Sequence, residues 1–256
     1  MLLAFDLDKT IVTEDFRLPQ DIERTIKRVR DAGHLVTVIT GRARVAAADY
    51  LKQLEIPEFY GVNHGALVLG KQELVLRHSR ITAQDADLLI RPYAEHPDIE
   101  FSFFEGDVFY VKNPDDERWS WAQTQHRLIE RYSPGLGLHA DKIVFSANEL
   151  LPELHSYVQD QFPEFRTIVW ENGFLEVTGV DADKGSALKL LSETLGIKQQ
   201  DTIAFGDGPN DLTMLEWAGR GIAVGHACQE AIALADEHIA PPEALGVAKW
   251  LEKNLL

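Results

Sequence analysis

The sequence predicts an α/β protein in which a parallel sheet core carries an inserted α+β domain. Three observations predict this class. Apolar strand-like runs alternate with helix-period segments over the first 54 residues, the same alternation returns after residue 184, and hairpin signals occupy the middle of the chain. Alternation is typical of β-α-β units, whereas hairpins imply antiparallel pairing. We therefore expect a core formed by residues 1–80 and 183–256 and an inserted domain formed by residues 81–182.

The elements of the core follow in order from the apolar periodicity. Pro19 just inside the first helix and Gly33 just after its end are in the positions where these residues usually begin and end helices. The later half of the core begins with a helix that opens at Lys184. Strands are predicted at 2–6, 35–40, 202–206 and 221–225, and helices at 19–32, 42–54, 184–195, 211–217 and 244–255.

The inserted domain is predicted from turns and short helices. Gly106-Asp107 lies between strand-like runs at 101–105 and 108–112, and Asn172-Gly173 is a strong hairpin turn. Helix-like stretches at 83–95, 116–132 and 149–162 lie between these strands. Hairpins mixed with helices indicate an α+β domain.

Composition limits the functional classes. The 25 Lys and Arg residues are outnumbered by 41 Asp and Glu residues, and the net charge of −16 offers no basic surface for a nucleic-acid backbone. Cys228 is the single cysteine, which excludes an internal disulfide and a thiolate zinc cluster. Because no basic stretch precedes the first apolar run and no apolar segment is long enough to cross a bilayer, we expect a cytoplasmic protein without membrane contact. A monomer and a homodimer are both compatible with the sequence.

Acidic side chains follow two predicted strands of the core. Asp6 and Asp8 end the first apolar run, and Asp207 and Asp211 follow the run at 202–206. Alternate residues of a strand face the same side, so the carboxylates of Asp6 and Asp8 are expected to face one site. Two like charges at that distance repel unless a cation binds them or one acid is protonated, and such oxygen ligands suit Mg2+. Ligands bind at the carboxyl ends of strands in open α/β sheets, so the pattern predicts a magnesium site there.

These acids, together with Thr40 and Lys184, form a complete set of groups for phosphoryl transfer. Asp6 is the candidate nucleophile, and Asp8 is the candidate general acid and base. Mg2+ held by Asp6, the backbone carbonyl of Asp8 and Asp207 would offset the repulsion between carboxylate and phosphate. Thr40 can hydrogen-bond a phosphoryl oxygen, and Lys184 can stabilise developing charge. Each residue also has a structural interpretation, as a strand end, a helix cap or a surface lysine.

The same residues resemble the four motifs of the haloacid dehalogenase superfamily, in the superfamily's order. These are Asp6-Leu7-Asp8-Lys9-Thr10, Thr40-Gly41-Arg42, Lys184 and Gly206-Asp207-Gly208-Pro209-Asn210-Asp211. Asn63-His64-Gly65-Ala66 and residues 214–227 are similar to the Cof-like phosphatases, whose type IIB α/β cap is inserted between the second and third motifs. The resemblance covers nearly the whole chain and implies a Rossmann-like core.

The resemblance implies a Mg2+-dependent phosphatase whose partner is a small phosphorylated metabolite, such as a sugar phosphate. It also implies that Asn210 and Asp211 organise the shell around metal and phosphate. The candidate substrate-binding residues are Thr40, Gly41, Arg42, Asn63 and Asn210, and the candidate metal ligands are Asp6, Asp8, Asp207 and Asp211. The chain departs from the family at Lys9, where glycine is usual, and at His64, which interrupts what is more often Asn-Gly-Ala.

Other functions are compatible with some of these features. A phosphomutase of the phosphomannomutase type has the same core and cap, and a non-catalytic phosphate-binding protein would keep the fold. A receiver domain also uses an aspartate, a threonine and a lysine, but it has no large insertion. The paired carboxylates of a glycosidase would leave the lysine, the threonine and the acids at Asp207 and Asp211 unexplained.

Overall fold

The chain folds into two units, each with a sheet and a hydrophobic core of its own. A computed structural model describes residues 1–106, 108–120, 128–170 and 173–256. The first unit comprises Met1–Arg77 and Asp181–Leu256, and the second comprises His78–Val180. The second unit is therefore inserted between two parts of the first.

The strands and helices of both units are numbered together in chain order. In chain order the strands are β1 (Leu2–Phe5), β2 (Leu35–Val38), β3 (Tyr60–Val62), β4 (Leu67–Leu69), β5 (Val75–His78), β6 (Glu100–Glu105), β7 (Val108–Val111), β8 (Leu128–Arg131), β9 (Lys142–Ser146), β10 (Arg166–Trp170), β11 (Phe174–Thr178), β12 (Thr202–Gly206), β13 (Arg220–Val224) and β14 (Glu237–Ile239). The helices are α1 (Gln20–Asp31), α2 (Arg44–Gln53), α3 (Ala83–Ile90), α4 (Leu151–Gln161), α5 (Lys184–Thr194), α6 (Leu212–Trp217), α7 (Gln229–Leu234) and α8 (Gly246–Asn254). Among the described residues, no helix is both long and apolar enough to cross a bilayer.

A five-stranded parallel sheet forms the centre of the first unit. Its order is β14-β13-β12-β1-β2, and every neighbouring pair is parallel. Leu3 and Phe5 of β1 belong to one hydrophobic cluster, and Leu2 and Ala4 belong to another. A strand with apolar side chains on both faces has a continuous apolar sequence, which is why β1 could be recognised. The predicted fold class, α/β with a parallel core, is confirmed.

Helix α1 illustrates how local sequence sets an element of the core. Its buried residues Ile22, Ile26 and Val29 recur at intervals of three or four, which places them on one face. The helix begins directly after Pro19, which has an extended conformation. It is followed by Gly33, whose φ of +93° lies in the region that favours glycine.

Strand β2 ends two residues earlier than the sequence predicts. Ile39 forms an isolated bridge with Gly61, and the N–H of Thr40 donates to the carbonyl of Gly61 over 3.0 Å. Thr40 therefore lies in the loop after β2, where its backbone is bound to β3. This loop begins the candidate site.

The second unit contains a six-stranded sheet with an aromatic core. Its order is β10-β11-β9-β6-β7-β8, antiparallel except for the parallel pair β7 and β8. Its core includes Phe101, Phe103, Tyr132 and Phe145. The pairs β6–β7 and β10–β11 are antiparallel, as hairpins require. Asp107 and Asn172 of the two predicted hairpin turns lie outside the described residues.

The predicted helix at 116–132 is wrong at its carboxyl end. Leu128–Arg131 form the strand β8, which pairs with β7. Three of its four residues are exposed, so the segment lacks the alternating burial by which a strand is recognised. Its strand conformation depends on pairing with a segment that is distant in sequence, which local propensity does not encode. Residues 121–127 of this prediction lie outside the described residues.

The two junctions of the insertion have close contacts within each unit. In the first unit, Arg77 Nη1 donates to the carbonyl of Asp181 over 3.0 Å and to Ser186 Oγ over 2.9 Å. In the second unit, a Cβ built on Gly179 would lie 2.6 Å from Ser79 Oγ, so the first and last residues of the insertion are neighbours. Within each unit, the two chain segments that meet at the junction are therefore in contact.

Candidate active site

The acidic side chains predicted from sequence meet at the carboxyl edge of the parallel sheet. Asp6 directly follows β1, and Asp207 directly follows β12, its neighbour in the sheet. The N–H of Asp6 donates to the carbonyl of Phe205 over 3.0 Å, which extends the pairing to the site. This is the edge at which open α/β sheets bind ligands.

Lys184 binds two of these carboxylates from the first turn of α5. Its Nζ lies 2.6 Å from Asp6 Oδ1 and 2.6 Å from Asp211 Oδ1, and its side chain is fully buried. Burial alone lowers the pKa of a lysine, but the charges and hydrogen bonds of Asp211 and Asp6 outweigh it and hold the pKa of Lys184 above its ordinary value. Asp183 caps the helix by accepting a hydrogen bond from the N–H of Ser186. Lys184 is therefore a fixed, charged ammonium between two acids.

Asp211 organises the loop that carries Asp207. Its Oδ2 accepts the N–H groups of Asp207 and Gly208 over 3.0 and 2.9 Å, and its Oδ1 accepts Lys184. A Cβ on Gly206 would lie 2.5 Å from the Cβ of Asp211, so this close approach requires glycine. Because both oxygens of Asp211 already accept hydrogen bonds, the geometry favours a supporting role over direct metal binding.

Asp6 and Asp207 each keep one oxygen that can receive a ligand. Oδ1 of Asp207 accepts a hydrogen bond from Thr10 Oγ1 over 2.9 Å. Within the described part of the chain, no group donates a hydrogen bond to Oδ2 of Asp6 or of Asp207. One oxygen from each of Asp6, Asp207 and Asp211 can be chosen so that all three lie within 4.8 Å of one another.

The charges of this cluster fit a divalent cation. Asp6, Asp207 and Asp211 bring three carboxylates, and Lys184 brings one positive charge. Burial raises the pKa of Asp6 well above its usual value, against the attraction of Lys184, and the other acids raise it further. Burial, followed by the charge of Asp211, raises the pKa of Asp207 to about 7. A cation that prefers oxygen ligands would lower the pKa of both Asp6 and Asp207. The residues present therefore fit Mg2+.

Asp8 lies outside the acidic cluster and is bound by Arg42. Its two oxygens accept from Nε and Nη2 of Arg42 over 2.8 and 2.5 Å, a bidentate ion pair. The guanidinium carbon also lies 4.7 Å from the ring centre of Tyr50 and 5.5 Å from that of Phe16. Arg42, predicted as a substrate ligand, therefore holds the candidate acid and base in this structure. The side chain of Asp8 is 41% exposed, so a substrate can reach it.

Three other predicted substrate-binding residues, Thr40, Gly41 and Asn63, lie in two loops that bind each other. Thr40 Oγ1 accepts the N–H of Arg42 over 3.1 Å, and the carbonyl of Thr40 accepts the N–H of His64 over 2.9 Å. The carbonyl of Arg42 accepts the N–H of Asn63 over 2.8 Å. Gly41 lies against the ring of His64, where a Cβ would be 2.4 Å from Cε1. Thr40, Gly41 and Asn63 are therefore placed beside one another.

Lys9 occupies a conformation that favours glycine. Its φ is +59°, in the left-handed region, and its N–H donates to the carbonyl of Val12 over 2.7 Å. The side chain is exposed. The turn after β1 therefore needs this backbone geometry, which explains why a glycine suits the position and shows that lysine is accommodated there.

Sequence reasoning did not identify three contacts of the site. These are the hydrogen bond from Thr10 to Asp207, the ion pair of Arg42 with Asp8, and the hydrogen bond between Asn210 and His64. Thr10 and Arg42 lie within the recognised motifs, which was a signal of involvement but not of partner. His64 had only its departure from the family pattern as a signal.

Comparison with known proteins adds independent evidence. A family model described as haloacid dehalogenase-like hydrolase matches residues 3–251. The 5-amino-6-(5-phospho-D-ribitylamino)uracil phosphatase YitU of Bacillus subtilis (strain 168) is 27% identical over 267 residues, which cover 98% of this chain and 96% of that protein. An HMP-PP phosphatase of Enterobacter sp. (strain 638) is 28% identical over 242 residues, which cover 91% of this chain and 86% of that protein.

Solved structures have the same fold. A haloacid dehalogenase-like hydrolase from Bacteroides thetaiotaomicron aligns with a TM-score of 0.85 and 22% identity, covering 98% of each chain. A sugar phosphatase of subclass IIB of the superfamily aligns with a TM-score of 0.84 and 23% identity, also covering 98% of each chain. The predicted family and the predicted enzyme class, a phosphatase of this superfamily, are confirmed. The chain belongs to the haloacid dehalogenase-like hydrolases.

Proposed function

We propose that this enzyme is a Mg2+-dependent phosphatase that hydrolyses small phosphate monoesters, such as sugar phosphates, through a phosphoryl group carried on Asp6. The observation that carries the proposal is the environment of the Asp6 carboxylate. Lys184 fixes Oδ1 at 2.6 Å, while Oδ2 accepts no hydrogen bond from the described residues. A carboxylate oriented through one oxygen leaves the other to act as a nucleophile.

The first step transfers the phosphoryl group to the enzyme. Oδ2 of Asp6 attacks phosphorus, the bond from phosphorus to the ester oxygen breaks, and the leaving alkoxide takes a proton from Asp8. Thr40, whose Oγ1 accepts the N–H of Arg42, can donate its hydroxyl hydrogen to a phosphoryl oxygen. Lys184 balances charge on the oxygen of Asp6 that does not attack.

The second step returns the enzyme to its initial state. Asp8 takes a proton from a water molecule, whose oxygen attacks phosphorus and breaks the bond to Asp6. Having given its proton to the leaving group in the first step, Asp8 is a carboxylate, the form that a base requires, and Arg42 can pair with that charge. Asp207 and Oδ1 of Asp6, the oxygen that does not attack, would hold Mg2+, which supplies positive charge against the repulsion between these carboxylates and the phosphate.

The substrate and the role of the second unit belong to the same proposal. The relatives named above act on a phosphoribitylamino-uracil and on HMP-PP. For this chain we propose a small phosphorylated metabolite of that general kind, handled in the cytoplasm. The inserted unit, His78–Val180, would serve as the α+β cap that selects it. A monomer or a homodimer fits this function equally well.

Phosphate release from a substrate panel tests the proposal. The panel comprises sugar phosphates, pyridoxal phosphate, flavin mononucleotide and 4-nitrophenyl phosphate, each with Mg2+ and with excess chelator. We expect release that depends on Mg2+ and ranks the substrates. Transfer of phosphate between two positions of one sugar without free phosphate would support a phosphomutase instead. Silence across the panel would support a non-catalytic phosphate-binding protein.

Magnesium is expected to raise the midpoint of thermal unfolding. It would bind a folded cluster that carries two more negative than positive charges, and a ligand at 100 times its Kd stabilises by about 2.7 kcal/mol. Asp207→Asn should lose most of the shift, because it removes one of the two acids with an oxygen to offer. The control Asp201→Asn, at an exposed acid just before β12, should keep it. An equal shift in Asp207→Asn would remove Asp207 from the metal site.

Replacement of Asp8 by asparagine is expected to slow turnover of a sugar phosphate by about 100-fold to 10,000-fold, the usual contribution of a general acid or base. Because 4-nitrophenolate leaves without a proton, this variant should still transfer the phosphoryl group from 4-nitrophenyl phosphate. Stopped-flow absorbance should then show a burst of one 4-nitrophenolate per enzyme, followed by slow turnover. The control Asp15→Asn, at an exposed acid of the neighbouring loop, should behave as wild type. Near wild-type turnover without a burst would contradict the role of Asp8.

A further inference from the structure

His64 is a buried residue of this site to which the proposed mechanism assigns no step. It is 3% exposed, and its φ of 58° and ψ of 25° lie in the left-handed region. A histidine persists in that conformation only where its surroundings hold it, and such positions occur at functional sites. The preceding residue, Asn63, has a φ of 49°, so two consecutive residues without glycine's freedom share this turn.

The ring of His64 binds the amide of Asn210. Asn210 Nδ2 lies 3.2 Å from His64 Nδ1, between residues that are 146 positions apart in the chain. An amide nitrogen only donates, so Nδ1 accepts and the ring carries its proton on Nε2. The carbonyl of Thr40 accepts the N–H of His64 over 2.9 Å, which fixes the backbone of the histidine as well.

Two glycines leave the space that this pair occupies. A Cβ on Gly41 would lie 2.4 Å from His64 Cε1, and a Cβ on Gly208 would lie 2.6 Å from Asn210 Oδ1. Gly41 belongs to the loop after β2, and Gly208 belongs to the loop after β12. Each loop therefore lacks a side chain at the point where the histidine or the asparagine lies.

We propose that His64 is a positioning residue that holds the side chain of Asn210 for the phosphate group of the substrate. The hydrogen bond links the turn after β3, which is itself bound to the carbonyl of Thr40, to the loop of Asp207, so that the two groups assigned to phosphate, Thr40 and Asn210, keep a fixed separation. A group fixed before binding loses less conformational freedom when the ligand arrives. This inference rests on the proposed function, because it assigns Asn210 to the phosphate.

A double-mutant cycle on phosphate binding tests the proposal. The Kd of inorganic phosphate would be measured by calorimetry at fixed Mg2+ for the wild type, His64→Gly, Asn210→Ala and the double variant. We expect each single change to weaken binding by about 10-fold, in line with one hydrogen bond to a charged group. If His64 acts through Asn210, the double variant should bind as weakly as Asn210→Ala alone. Effects that multiply in the double variant would overturn the proposal.

Two further measurements separate positioning from a merely structural role. His64→Gly should stay folded by circular dichroism at the temperature of the binding measurement, because glycine suits a φ of 58° and offsets part of the cavity left by the buried ring, so weaker binding cannot then be attributed to loss of the fold. His64→Asn should restore most of the affinity, since asparagine tolerates this conformation and its carbonyl can accept the amide of Asn210. Failure of this rescue together with a loss of folded structure in His64→Gly would assign His64 to the fold alone.

A spectroscopic readout keeps this inference separate from the proposed function. Nitrogen-15 NMR of the full chain should show His64 with an unprotonated Nδ1, and Asn210→Ala should change that signal. If phosphate binds and the effects of His64→Gly and Asn210→Ala are coupled, but no ester is turned over, the proposed function is contradicted and the role of His64 stands. If an ester is turned over but the effects of the two substitutions are independent, only the role of His64 is contradicted.

Discussion

Asp6→Asn is expected to abolish turnover and leave the fold intact. The amide cannot attack phosphorus, and removal of a nucleophile costs about 10^4-fold or more in rate. The environment of Asp6 opposes its charge, since burial and the neighbouring acids raise its pKa. A neutral amide should therefore be tolerated, and the midpoint of thermal unfolding should stay at or above that of the wild type. Phosphate release and circular dichroism on the same preparation would measure both effects.

A matched substitution controls for the change of acid to amide. Asp49→Asn alters an exposed acid of α2 and should leave both rate and stability unchanged. Wild-type phosphate release by Asp6→Asn, with a wild-type dichroism spectrum, would exclude Asp6 as the nucleophile. Inactivity accompanied by unfolding would instead make Asp6 necessary for the fold.

Lys184→Met is expected to cause the largest loss of stability. Lys184 is a buried cation that binds Asp6 and Asp211 at 2.6 Å, and its removal leaves both carboxylates buried without a positive partner. Breaking a buried ion pair in this way costs about 3–5 kcal/mol. Methionine keeps most of the side-chain volume, so the loss would reflect charge more than a cavity. Urea unfolding with the chelator present would measure it.

Lys189→Met provides the control on the same helix. Lys189 is 57% exposed and lies 4.0 Å from Glu193, an exposed pair of the kind that contributes about 0–1 kcal/mol. The two substitutions change the same chemical group in α5, and they differ in burial and in partners. Equal losses for the two variants would show that the buried ammonium does not stabilise the acidic cluster.

The sequence was informative where a functional residue lies at the end of an apolar element. Asp6 and Asp207 follow neighbouring parallel strands, and Lys184 opens a helix of the same core, so their proximity follows from the topology of the sheet. Strand β12 was predicted with its observed bounds, because its five residues are all buried and four of them form an apolar run that ends at Gly206. The acidic edge of the sheet could thus be placed before any side-chain contact was known.

The sequence was less informative where a partner is set by the path of a loop. Arg42 was assigned to substrate, and its pairing with Asp8 depends on the turn after Thr40 and on the stacking of Tyr50. The strand β8 was predicted as a helix, because its pairing with β7 is a long-range interaction. The left-handed conformation of His64 has no local signature, since glycine or asparagine is the usual indicator of such a turn.

The adjacent ends of the inserted unit change the entropy of folding of the core. The parallel pairing of β1 with β12 joins segments about 200 residues apart, of which the insertion His78–Val180 makes up about 100. Once the insertion is folded, its first and last residues are already neighbours, so the loop that the core must close is about half as long. Halving the length of a flexible loop lowers its closure cost by about 0.6 kcal/mol of chain entropy. Although each unit has its own hydrophobic core, the order in which they fold therefore affects how readily the catalytic sheet assembles.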